Sequence, residues 1–216
     1  MDVVVAGGHG KIALRLLDRL STRGDRARGM VRNPDHAPDL EAVGAEALIA
    51  DLESLEALEL AELIEGADAL VFAAGAGAGS GPERKRTVDL GGAIKLIEAA
   101  REAGVSRWVM ISAMGAADPE SAGEEMLPYM RAKAEADEAL ASSGLDFTIV
   151  RPGRLTDEAG SGTVAAGPEL GRESIPRDDV AASLIAVLET PATIGVRFDL
   201  VSGTTPIDEA IGSLGA

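Results

Sequence analysis

"VVVAGGHGKIALRLLDRL", residues 3–20, is the stretch on which the architecture turns. Three valines and an alanine make an unbroken apolar run, the pattern of a strand covered on both faces in a parallel sheet rather than of a half-solvated antiparallel one. The run stops at Gly7, Gly8 and Gly10, after which apolar residues recur at Ile12, Ala13, Leu16, Leu17 and Leu20, the spacing of one helix face. Strand, glycine turn and helix together open a βαβ unit. Gly7 suits the tight turn, Gly10 lets backbone approach a pyrophosphate, and the small Ala13 lets helix and sheet pack closely. The first turn of the helix presents backbone N–H groups to an anion. Gly7, Gly8, His9, Gly10, Lys11 and Ile12 are therefore expected to form a phosphate cradle, with His9 contributing its backbone rather than its ring.

The same alternation continues along the chain. Strands are expected at 2–6, 27–31, 45–50, 67–74, 107–112, 146–151 and 195–201, and helices at 10–22, 36–43, 54–64, 83–103, 125–143 and 177–190. This predicts one α/β domain over residues 1–216, a doubly wound and mostly parallel sheet of about seven strands. Gly24, Gly44 and Gly104 follow helical stretches, where a left-handed residue ends a helix. The Gly/Ala-rich stretches 73–83 and 158–167 each follow a strand's C-terminal end, the edge where open α/β sheets bind ligands.

The residues after the second and third strands bear on which dinucleotide such a cradle would take. An acidic side chain after the second strand would bond the adenosine ribose of NAD, whereas this chain has Arg32, 22 residues after Gly10, suited to a 2′-phosphate. NADP (NADPH) is thus expected over NAD, although Asp35 is close by. Asp51 and Leu52 fall where an adenine ring would lie; Asp51 alternatively caps the following helix.

Composition narrows the function classes. There is no cysteine, and the only histidines, His9 and His36, stand 27 residues apart, so neither thiolate chemistry nor a histidine metal site is expected. A net charge of -16 and the lack of a basic run with interleaved aromatics argue against nucleic acid as a partner. The chain opens on "MDVVVAGG" without a basic-then-apolar leader, and no apolar run reaches the roughly 18 residues that span a bilayer. A soluble, cytoplasmic protein with no membrane association is expected.

Taken in order, "GGHGKIA" (7–13), "ADL" (50–52), "VFAAGAG" (71–77), "VDLGGAIKLIEAA" (88–100), "WVMISAMGA" (108–116), "YMRAK" (129–133), "TIVRPG" (148–153) and "IPRDDVAASL" (175–184) resemble the short-chain dehydrogenase/reductase superfamily. The likeness is to its atypical, single-domain branch, near the NAD(P)-dependent epimerase/dehydratase and NmrA-like groups, and it covers essentially the whole chain. It implies a Rossmann fold in which Ala73, Ala74 and Gly75 line the cofactor and Pro152 and Gly153 border the nicotinamide. It further implies a catalytic set of Ser112, Tyr129 and Lys133, with Asp89 where the superfamily usually has asparagine. The physical logic is that residues four apart share a helix face, so Lys133 stands beside the phenol, favours its ionised form and bonds the nicotinamide ribose. Asp89, ionised, accepts hydrogen bonds but cannot donate them, which departs from an asparagine relay.

Only 152–176 is long and irregular enough to wall a substrate, and with five aromatics in the chain a small-molecule substrate is expected. Arg151, Arg154 and Arg172 are available to an anionic group or to surface salt bridges. The leading expectation is an NADP-dependent oxidoreductase moving hydride to or from a small carbonyl or alcohol. The alternatives are a non-catalytic NADP sensor that recognises a protein partner, and a flavin or quinone reductase that needs no tyrosine.

Overall fold

The computed structural model describes residues 1–75, 77 and 81–215. Part of the expected Gly/Ala-rich stretch, residues 76 and 78–80, lies outside them. The first half runs β1 (Asp2–Ala6), α1 (Lys11–Thr22), β2 (Arg26–Val31), α2 (Ala37–Ala42), β3 (Glu46–Ile49), α3 (Ala57–Ile64) and β4 (Ala69–Phe72). A short α4 (Pro82–Arg84) then leads through a π-helical segment, Lys85–Gly91, into α5 (Gly92–Ala103), followed by β5 (Arg107–Ile111), α6 (Leu127–Ala141) and β6 (Asp146–Pro152). The remainder is β7 (Arg154–Thr156), β8 (Thr163–Gly167), β9 (Ser174–Pro176), α7 (Arg177–Glu189), β10 (Val196–Ser202), β11 (Thr205–Pro206) and α8 (Ile207–Gly212).

Among the described residues the main sheet has nine strands in the order β11-β8-β10-β6-β5-β4-β1-β2-β3. All seven expected strands are present, and from β3 to β10 every neighbour is parallel. Two additions extend the edge: β8 pairs antiparallel with β10, and β11 with β8. A separate parallel pair, β7 with β9, closes the base of the excursion between β6 and α7. Gly24, Gly44 and Gly104 all adopt positive φ (85°, 76° and 71°), as expected of residues that end helices.

The valine run explains why β1 is central. Val3 and Val5 enter the core layer shared with α1 and α7, Val4 and Ala6 the layer shared with α3 and α5, and none is exposed. Each buried valine contributes about 1.5–3 kcal/mol, so both faces select for apolar residues. The chain leaves β1 toward β2 on one side and returns to β4 on the other, so the loops after β1 and β4 diverge. That divergence opens a crevice at the C-terminal edge of the strands. Among the described residues no helix is long and apolar enough to cross a membrane.

Candidate functional site

Glycine is required at the bottom of the crevice. Gly7 has φ 80°, and a Cβ there would lie 2.6 Å from Cα of Ala74, so the loop after β1 rests directly on the end of β4. At Gly8 a Cβ would come within 2.9 Å of Cα of Gly29, and its N–H donates to the Met30 carbonyl (2.8 Å), tying the loop to β2. Gly10 is the N-cap of α1 and has no side chain with which to cap it. The first-turn amides of α1 thus face the loop, the arrangement that receives a phosphate.

A cleft of 440 Å³ opens beside this loop. It gathers nine of the expected cofactor residues: Gly7, His9, Gly10, Arg32, Asp51, Leu52, Ala73, Ala74 and Gly75. Glycines and alanines at Gly7, Gly10 and Ala73 to Gly75, with an uncapped helix start beside them and polar side chains further out, fit an extended dinucleotide. Gly8 and the buried Ile12 support the loop from behind, while the exposed Lys11 turns outward to pair with Asp157, which Arg177 also holds at 2.9 Å.

Several side chains act differently from their sequence expectation. The His9 ring stacks on His36, centroids 3.7 Å apart and planes 12° from parallel, and its Nε2 bonds Asp39 at 2.7 Å, so the ring itself is engaged. Asp51 does not cap α3. Its Oδ1 accepts from the Glu53 N–H (3.0 Å) in a local turn, while Glu56 and Glu59 form the capping box of that helix. Gly153 is glycine because a Cβ there would lie 2.2 Å from the Glu173 carbonyl oxygen; Pro152 is the buried last residue of β6.

The catalytic candidates converge on α6. Tyr129 is half-buried and Lys133, one turn on, is buried. The ammonium of Lys133 lies 6.0 Å from the Tyr129 ring centroid, and that of Lys85 lies 5.7 Å from it, two cations in reach of one ring. Lys133 donates to the Ile111 carbonyl (3.2 Å) and lies 3.3 Å from Oδ1 of the fully buried Asp89. The π segment carries Asp89 inward against Gly75, where a Cβ would meet its Oδ1 at 3.1 Å.

Ser112 meets α6 at Asp137, one turn beyond Lys133. Its hydroxyl is buried and faces the Asp137 carboxyl, near enough to lower that group's pKa but outside hydrogen-bond geometry. Asp137 is fully buried and accepts from Nε and Nη2 of Arg151 at 3.0 and 2.9 Å. Burial raises its pKa, with Ser112, Arg151 and Lys133 opposing. Asp137 was legible, lying four residues after Lys133 on the same helix face. Arg172 bonds Ser121 (3.0 Å), and Arg154 lies exposed on β7. Glu53, His36 and Arg84 also line the cleft, and no motif points to them because each comes from a different crossover.

Residues 7–191 match a family model described as NAD(P)H-binding. The chain is 44% identical over 215 residues to the uncharacterized sugar epimerase YhfK of Bacillus subtilis, covering 99% of this chain and 100% of that protein. It is 38% identical to a Bacillus halodurans protein of known structure that carries a provisional NAD-dependent epimerase/dehydratase name, with a TM-score of 0.94 over 99% and 100% of the two chains. The oxidoreductase YlbE of Lactococcus lactis is 29% identical, with a TM-score of 0.88 over 99% and 96%.

Proposed function

The chain belongs to the NAD(P)H-binding family of atypical short-chain dehydrogenase/reductases, and from that premise we propose that it is an NADP-dependent oxidoreductase acting on a small carbonyl or alcohol. The observation that carries the reading is the placement of Tyr129 above buried Lys133 on one face of α6, at the sheet edge that also forms the cleft. Gly7, Gly10 and the first turn of α1 would hold the pyrophosphate, Arg32 the 2′-phosphate, and Ala73 to Gly75 the middle of the dinucleotide. When bound, the nicotinamide supplies or accepts the hydride. The share of the chain is the proton: Tyr129 Oη gives it to the substrate oxygen in reduction and takes it back in oxidation. Lys133, anchored by Asp89 and the Ile111 carbonyl, keeps a positive charge beside that phenol.

A second reading, an NADP sensor with a protein partner, draws on one feature: Ser112 is buried beside Asp137 and is not among the residues that line the cleft, so the hydroxyl that would hold a substrate oxygen is not presented there. Tyr129→Phe separates the two. In an oxidoreductase it keeps NADPH affinity within about twofold and loses about a hundredfold or more of turnover on whichever carbonyl a screen of aldehydes, ketones, quinones and flavins identifies. Tight NADPH binding with no turnover by the wild type across that panel would favour the sensor. Full activity of the variant would remove Tyr129 from the chemistry.

A further inference from the structure

Along one wall of the cleft, three crossovers place charged groups on one point. Arg32 follows β2, Glu53 follows β3, and Arg84 ends α4; all three line the cleft. Oε2 of Glu53 lies 3.5 Å from Nη1 of Arg32 and 3.5 Å from Nε of Arg84. Both contacts are ion pairs too long to be good charge-assisted hydrogen bonds, which run near 2.7–2.9 Å. Two guanidiniums therefore share one carboxylate oxygen, and neither is in its favoured bidentate geometry.

The main chain of Glu53 is fixed while its neighbours can turn. Asp51 holds its N–H, and Lys95 donates to its carbonyl at 3.1 Å and to that of Leu55 at 2.9 Å. Its other carboxylate oxygen accepts from the Thr87 hydroxyl at 2.6 Å. The side chains of Arg32 and Arg84 are 52% and 40% exposed, so either can reorient without unpacking the core. A phosphate monoester offers three terminal oxygens and close to two negative charges, against the single charge of a carboxylate. It satisfies two forked guanidiniums where Glu53 does not.

We propose that Glu53 is an internal stand-in for a phosphate: it holds Arg32 and Arg84 in the free protein, and the 2′-phosphate of NADPH displaces it and is bound by both arginines. Arg84 is then a second determinant of cofactor specificity, and Glu53 a competitor that lowers the affinity for the 2′-phosphorylated form. The proposal rests on the NADP reading given above, and it uses residues that no β2-end fingerprint contains.

Calorimetric titration of wild type, Arg32→Ala, Arg84→Ala and Glu53→Gln with NADPH, NADH, adenosine 2′,5′-bisphosphate and 5′-AMP tests it at the adenosine end alone. Arg84→Ala is expected to weaken the two 2′-phosphorylated probes about ten- to hundredfold and to leave NADH and 5′-AMP within twofold. Glu53→Gln, which keeps shape and the Thr87 contact but removes the competing charge, is expected to tighten the same two probes severalfold. An equal effect of Arg84→Ala on all four probes, or unchanged or weaker NADPH binding by Glu53→Gln, overturns the proposal. If Arg32→Ala alone abolishes an NADPH preference that the other two variants keep, this proposal falls and the NADP reading stands. If the wild type binds neither dinucleotide, or both equally, the two fall together.

Discussion

Alanine in place of Gly7, compared with alanine at Gly24 and at Gly10, separates what the loop after β1 does for the fold from what it does for a ligand. Gly24 has φ 85° and nothing within 4 Å of where a Cβ would stand, so Gly24→Ala costs only the left-handed backbone, about 1 kcal/mol. Gly7 has the same backbone cost at φ 80° and a second one: its Cβ would sit 2.6 Å from Cα and 2.7 Å from N of Ala74, main-chain atoms that cannot swing aside. Relieving that overlap must part β1 from β4 locally, adding about 1–3 kcal/mol. The expected loss for Gly7→Ala is therefore about 2–4 kcal/mol, with NADPH binding lost as the loop shifts. Gly10 has ordinary φ of -66°, and a Cβ would meet the Gly7 carbonyl oxygen at 3.2 Å and otherwise make only ordinary contacts with Ala13 and Ala73 at 3.9 and 4.0 Å. Gly10→Ala should thus change stability by less than about 1 kcal/mol, yet weaken NADPH about tenfold or more by keeping phosphate off the amides of α1. Urea unfolding gives the first quantity and nicotinamide fluorescence titration the second. Equal destabilisation at Gly7 and Gly24 would refute the close-packing argument, and undiminished NADPH binding by Gly10→Ala would refute the cradle.

Three more outcomes can be measured. Arg32→Ala should reduce a preference for NADPH over NADH about ten- to hundredfold; an unchanged ratio of dissociation constants would count against 2′-phosphate recognition there. Lys133→Ala leaves Asp89 buried without its cation and should cost about 3–5 kcal/mol in urea unfolding, whereas Lys133→Met with Asp89→Leu should recover most of it; similar stabilities of the two would mean the pair is not coupled. Burial raises the pKa of Asp199 above its ordinary 3.8, against the Leu170 N–H and the charge of Arg151, so its contribution to stability is fully present below that value and is lost as pH rises through the folded-state pKa. Asp199→Asn should accordingly gain on the wild type between pH 4 and pH 7 in urea melts, and a stability difference independent of pH would show that Asp199 does not titrate differently on folding.

The core strands were readable because burial on both faces leaves contiguous β-branched runs such as Val3 to Val5 and Ile149 to Val150, and helices because their apolar faces repeat. "TVAAG" at 163–167 reads as low complexity, and it becomes a strand only because β10 offers it an edge. The cradle glycines were visible for a local reason, since strand, turn and helix are contiguous in sequence. The stack of His9 on His36 and the triad of Arg32, Glu53 and Arg84 were not, since each is assembled from separate crossovers and no spacing encodes it. Ser112 shows the converse limit: its position after β5 matches a motif, but the parity of the strand turns its hydroxyl toward α6 and Asp137.

The π segment from Lys85 to Gly91 has a consequence for descent. Such a segment is what an α-helix becomes when it accommodates one extra residue, and each residue turns a helix by about 100°. Deleting one residue between Lys85 and Val88 would let α4 and α5 merge into a continuous helix and rotate Asp89 by that angle, away from Lys133. The contact between these two residues therefore depends on the length of this helix as well as on the residues at positions 89 and 133. Relatives without the extra residue would need to hold their lysine by other means even with an aspartate aligned at the same place. The length of this helix, more than the letter at position 89, is the trait to compare when sorting descendants of this fold by chemistry.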